Sequence, residues 1–131
     1  MHQLEDITKE FVAQFGKEAE ILIQSPGRIN LIGEHTDYND GWVFPAAINK
    51  YLWFACTPRE DGEVHIHALD IREKAVFSLQ ELSKDERLWL TYLKGILFLF
   101  EEDGFDSGGF NCVFGGNLPV GAGMSSSAAL E

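Results

Sequence analysis

The stretch Gly115-Gly116-Asn117-Leu118-Pro119-Val120-Gly121-Ala122-Gly123-Met124-Ser125-Ser126-Ser127-Ala128-Ala129-Leu130 decides the fold. A β-rich run, Gly109 to Phe114, precedes it and a helix starts at Ser125, so the glycines span a strand-to-helix turn. At such a junction bare N–H groups and the positive end of the helix dipole point outward together, which suits an anion. Gly121 and Gly123 carry no Cβ to hold an anion off the backbone. Ser125, Ser126 and Ser127 add hydroxyls for phosphate oxygens or a hard cation. The same composition also serves an ordinary helix N-terminus capped by Ser125.

Three well-known loops do not fit this stretch. Gly116 and Gly121 open with P-loop spacing, but Ala122-Gly123 stands where Lys and Ser/Thr are required. Gly121-x-Gly123 is followed by Ser126 where a dinucleotide fingerprint needs its third Gly. Gly123-Met124-Ser125-Ser126-Ser127 lacks the closing Gly of a nucleophile elbow, and Pro119 interrupts the strand an elbow needs. A Rossmann sheet and a serine hydrolase are therefore disfavoured.

Upstream, Leu4, Ile7, Phe11 and Phe15 recur at helical spacing before Gly16, which predicts an amphipathic helix with a glycine C-cap. Short β-rich runs follow at 21–24, 28–32, 42–48, 52–57, 64–68 and 75–79, with turns at Pro26-Gly27, Asn39-Asp40-Gly41 and Asp61-Gly62. Trp89, Tyr92, Leu93, Ile96, Leu97 and Phe100 form a broad apolar helix face that Asp103-Gly104 ends. His65 and His67 share one face of a strand whose other face carries Val64, Ile66 and Ala68. With no third ligand in view, the two imidazoles read as an exposed strand face.

The segment Gly27-Arg28-Ile29-Asn30-Leu31-Ile32-Gly33-Glu34-His35-Thr36-Asp37-Tyr38-Asn39 places four polar side chains in a row after an apolar pair. Carboxylates such as Glu34 and Asp37 accept hydrogen bonds from adjacent hydroxyls and His35 serves another, which is the chemistry a sugar needs. A solvated turn capped by Asp37 is the plain alternative. A metal cage is a poorer fit, since no Cys or second His accompanies the trio. Arg28 can stabilise charge growing on phosphoryl oxygens, or form a surface ion pair.

Composition narrows the partners. The chain has 131 residues, 45% hydrophobic and 24% charged, enough for one globular core. A formal net charge of -11 with only ten scattered Lys and Arg disfavours nucleic acid. No apolar run is long enough for a bilayer, and Met1 to Glu10 lacks a secretory h-region, so no membrane role and a cytoplasmic location are expected. Cys56 and Cys112 show no metal-ligand or Cys-x-x-Cys spacing and read as reduced thiols, with a bridge between them left open.

Together, 27–39 and Leu118 to Ala129 resemble the galactokinase signature and the Pro-x-Gly-x-Gly-Leu-Ser-Ser-Ser-Ala-Ala phosphate loop of the GHMP kinases, with Met124 in place of the usual Leu. The resemblance covers nearly the whole chain and extends through Pro45-Ala46-Ala47-Ile48. It implies an α+β fold: the N-terminal GHMP kinase domain, similar to ribosomal protein S5 domain 2, with a left-handed β-α-β unit. It also implies residues 1–131 as one incomplete domain, cut inside the helix after the loop at 119–129.

By the same resemblance, Arg28 is the transition-state stabiliser, and Glu34, His35, Thr36 and Asp37 bind the sugar. Gly121, Ala122, Gly123, Met124, Ser125, Ser126 and Ser127 hold ATP, with Ser127 touching Mg²⁺. The implied reaction is ATP-dependent phosphorylation of the anomeric hydroxyl of α-D-galactose. The family's catalytic Asp and second Mg²⁺ ligand have no match in the chain, so it is expected to be inactive alone; an incomplete core would leave apolar surface exposed, so the chain is expected to self-associate, while the whole protein is expected to be a monomer. A non-catalytic galactose sensor or an N-acetylgalactosamine kinase would carry similar motifs, but the intact Ser127-Ala128-Ala129 run favours an enzyme.

Overall fold

Leu4–Phe15 (α1) forms where the apolar spacing places it. Its first turn is closed by the Gln3 N–H donating to Asp6 Oδ2 at 2.8 Å. Gly16 ends it at φ 68°, with its N–H on the Val12 carbonyl at 2.8 Å. A computed structural model of the chain describes residues 1–119 and 126–130.

Five strands follow: β1 (Ile21–Asn30), β2 (Pro45–Arg59), β3 (Glu63–Ala68), β4 (Glu73–Ser78) and, after helix α2 (Leu88–Glu102), β5 (Gly109–Gly116). A short helix, α3 (Ser126–Leu130), comes last. They make one mixed sheet in the order β1-β2-β5-β3-β4. Only the β3–β5 pair is parallel among those described.

Two predicted breaks are absorbed into longer strands. Pro26-Gly27 is not a turn, because β1 runs straight through it with a register shift between Pro26 and Arg28. A proline lacks the ladder N–H, and a bulge on an edge strand is a place that tolerates the loss. The runs at 42–48 and 52–57 fuse into β2, whose first residue is Pro45, and Trp42 to Phe44 stay outside it.

Both faces of the sheet are covered. On one, α1 lays Ile7 and Phe11 on Trp53, Ala55 and Val113. On the other, Leu97 of α2 packs with Val64, Ile66, Ala68, Cys112 and Phe114, and Ala129 of α3 joins Leu52 and Leu118. This corrects the expectation of an exposed histidine face on β3. His67 is 7% exposed beneath α1, with Nδ1 3.2 Å from Glu10 Oε1. His65 is half-buried, its Nε2 2.7 Å from Glu63 Oε2. Alternation on one strand cannot reveal that a distant helix returns to cover the polar side.

Candidate functional site

The polar signature segment is a closed loop hung between β1 and β2. Its mouth is tied by Leu31 N–H to the Phe44 carbonyl at 3.0 Å and Phe44 N–H to the Ile32 carbonyl at 2.9 Å. Gly33 turns the chain at φ 97°, and a Cβ there would lie 2.9 Å from both Thr36 Oγ1 and Val43 Cα, so only glycine suits the position. The Thr36 hydroxyl shares its proton between the Gly33 carbonyl at 2.8 Å and the Trp42 carbonyl at 3.0 Å. The Thr36 carbonyl accepts from Gly41 N–H at 2.7 Å and Asn39 N–H at 3.1 Å.

This wiring sorts the predicted sugar-binding residues. Thr36 is spent inside the loop as a brace, while Glu34, His35 and Asp37 are exposed. His35 sits at φ 60° and its carbonyl accepts from Asn39 Nδ2 at 2.8 Å. Its Nδ1 lies 2.6 Å from the Tyr38 hydroxyl. Fixing one ring nitrogen fixes the orientation of the other. Arg28 lies on β1 opposite Ala47, and it is exposed.

Ninety residues lie between Gly27 of the first motif and Leu118 of the second, and the fold brings the two into contact. A Cβ at Gly27 would collide with the Leu118 side chain and lie 3.3 Å from Ile48. Leu118 is buried with Leu52 and Ala129. The chain leaving β5 is pinned on both sides. Asp70 Oδ2 accepts the Gly116 N–H at 2.8 Å, while Asn117 gives its N–H to the Tyr51 carbonyl at 3.1 Å and takes the Tyr51 N–H on Oδ1 at 2.9 Å. The predicted ATP-loop residues Gly121, Ala122, Gly123, Met124 and Ser125 lie outside the described residues. Ser126 and Ser127 begin α3, with Ser127 exposed.

Beside those serines lies a pocket of about 320 Å³ that was not singled out from sequence. Ile71, Leu88, Trp89, Tyr92 and Phe114 wall it, and Asp70, Ser126 and Ser127 border it. Trp89 is held by its Nε1–H on Glu73 Oε2 at 2.7 Å and by its ring 5.7 Å from Phe114. By sequence alone Trp89 and Tyr92 belong to the broad apolar face of a helix. Their i, i+3 spacing was the available signal, but their nearness to Ser126 depends on the fold.

The model of the galactokinase galactose-binding signature matches residues 9–58. The galactokinase of Clostridium perfringens is 47% identical over 98% of this chain and 34% of its own length. That of Roseiflexus sp. is 38% identical over 96% of this chain and 32% of its own. The crystal structure of Lactococcus lactis galactokinase complexed with galactose superposes with a TM-score of 0.84 at 38% identity, over 98% of this chain and 34% of that one. Methanococcus jannaschii mevalonate kinase, at 18% identity and a TM-score of 0.67, shares the fold. By signature, sequence and fold the chain is a relative of the galactokinases, and it spans about a third of the length of the relatives it matches.

Proposed function

We propose that the intact protein carrying this sequence transfers the γ-phosphoryl group of ATP to the anomeric hydroxyl of α-D-galactose, with this chain supplying the sugar loop and part of the nucleotide cradle. The observation that carries this reading is the meeting of the two motifs at Gly27 and Leu118. It sets β1, the strand that leads into the loop bearing Glu34, His35 and Asp37, against the Ser126–Leu130 helix.

In this reading Glu34 and Asp37 accept hydrogen bonds from neighbouring sugar hydroxyls. His35, with Nδ1 engaged by Tyr38, turns Nε2 to another hydroxyl. An epimer that left these groups unpaired would lose the energy of each missing bond, so the loop selects among sugars. Arg28 neutralises charge on the transferring phosphoryl oxygens. Residues 121–127 hold the ATP phosphates through backbone N–H groups and serine hydroxyls. The aromatic pocket beside Ser126 takes the purine base, because flat apolar walls stack on a ring system.

The exposed Ser127 hydroxyl is a hard oxygen of the type Mg²⁺ accepts alongside phosphate oxygens and water, so the chain fits that ion; when bound, it would neutralise phosphate charge. No residue of 1–131 is assigned as the proton acceptor, so the chain alone is expected to give no turnover. Among the described residues no helix is long and apolar enough to cross a membrane, and we place the reaction in the cytoplasm.

The test is ADP release by the intact protein with galactose, glucose or N-acetylgalactosamine as acceptor. Galactose-dependent release is expected. Glu34→Ala should lower kcat/KM for galactose by roughly 10- to 100-fold, the loss of one hydrogen bond to a charged group. Release that is indifferent to the sugar, or equal with glucose, would overturn the proposal.

A further inference from the structure

Cys56 and Cys112, fifty-six positions apart in sequence, face each other directly across the β2–β5 ladder. The alternation of ladder bonds fixes what kind of pair they make. Tyr51 and Asn117 are bonded across the same two strands. The Cys56 carbonyl instead turns outward to Glu20 N–H at 2.9 Å, on the β1 side. Phe114, two residues along from Cys112, likewise gives its carbonyl away from β2, to Leu69 N–H at 2.8 Å. Cys56 and Cys112 therefore occupy a non-hydrogen-bonded site, where opposed Cα atoms approach to about 4.5 Å. That separation lies within the range a disulfide spans, roughly 4.4–6.8 Å.

Both thiols are free and point to the α2 side of the sheet. They are not sealed in. A groove of about 360 Å³, opening between Ile21 and Ile23 of β1 and Leu93 of α2, is lined by both cysteines. Ile21 and Ile23 remain about half exposed, at 50% and 49%.

We propose that Cys56 and Cys112 form an intramolecular dithiol site that hydrogen peroxide oxidises to a cross-strand disulfide. Cys56, the less buried of the two, attacks as thiolate on the peroxide oxygen. The O–O bond breaks, Cys56 becomes a sulfenic acid and one water leaves after protonation. The Cys112 sulfur then attacks the Cys56 sulfur, the S–O bond breaks and a second water leaves. Two thiols lose two electrons and two protons, and the peroxide is reduced to two waters. The division of labour agrees with the electrostatics. A hydrogen bond from Cys112 pulls the Cys56 thiol down from its ordinary value, while donating that bond, together with burial, pushes Cys112 up. The product would tie the central strand β5 to its neighbour β2 on the face opposite α1.

The test uses the folded 131-residue chain, treated with hydrogen peroxide, quenched, denatured, alkylated and weighed intact. The expected species is a monomer lighter than the reduced chain by two hydrogen atoms, with no alkylatable thiol, and restored to two thiols by dithiothreitol. Cys56→Ser should retain one alkylatable thiol or carry added oxygen, and should not show the two-hydrogen loss. The inference is overturned if the wild-type chain keeps two alkylatable thiols, accumulates only oxygen adducts, or forms only disulfide-linked dimers.

Discussion

The Leu118 side chain fills the space directly beside Gly27 where a Cβ would have to sit, and Ile48 closes the other side. The sugar-loop strand and the segment leading to the serine helix are thus registered through a position that admits only hydrogen. Gly27→Ala should push Leu118 out of its contact with Leu52 and Ala129. Overpacking of this kind costs about 1–3 kcal/mol, read as a lower denaturation midpoint. In the intact protein, KM should rise for both sugar and nucleotide. An unchanged midpoint with unchanged KM values would show that Leu118 can move aside freely and that the contact does not register the two motifs.

Thr36 distinguishes bracing from binding. Its hydroxyl is shared between the Gly33 and Trp42 carbonyls, so Thr36→Val keeps the shape and removes the donor. The loss is about 1 kcal/mol locally. It should appear as a raised KM for galactose with KM for ATP unchanged, and Thr36→Ser should recover most of it. Failure of Ser to rescue would mean that the methyl group, not the hydroxyl, holds the loop.

The sequence made the helices α1 and α2 and the two motifs legible because each rests on local signals: 3.6-residue spacing, a C-terminal glycine, and glycine and serine at a strand-to-helix turn. It hid whatever depended on long-range closure. Pro26 read as a turn because a bulge leaves no local mark. His67 read as exposed because α1 covers it from more than fifty residues away. Cys56 and Cys112 read as reduced thiols with a bridge left open, because their registry belongs to the ladder. In the candidate site, Glu34, His35 and Asp37 are candidates by residue type alone, whereas the inward role of Thr36 and the pocket at Trp89 and Tyr92 required the fold.

His67 carries a pH signature. Burial lowers its pKa from the ordinary 6.5, nearby Glu10 opposes this and Lys74 adds to it. Since the folded value is depressed, the unfolded chain binds more protons just below pH 6.5. Stability from this group is therefore complete above about 6.5 and falls as pH drops toward the folded pKa. His67→Gln should flatten the dependence of the unfolding midpoint over this window. An NMR titration of the His67 ring should give a midpoint below 6.5, and a value at or above it would contradict the assignment.

Tyr92 offers the cleanest probe of the aromatic pocket, because it lines the cavity yet is 38% exposed. Trp89 by contrast is bound to Glu73 and packed on Phe114, so its truncation would mix binding with stability. Tyr92→Ala sits within α2, where alanine is a better helix former than tyrosine, so little loss of stability is expected. If the purine base lies against this wall, losing one aromatic contact of about 0.5–1.5 kcal/mol should raise KM for ATP roughly 2- to 10-fold. KM for galactose should stay constant, since the signature loop lies on β1 and β2 rather than on α2. Steady-state kinetics with each substrate varied in turn would decide it. An unchanged KM for ATP would place the base elsewhere, and a parallel rise for galactose would point to a general disturbance of the sheet.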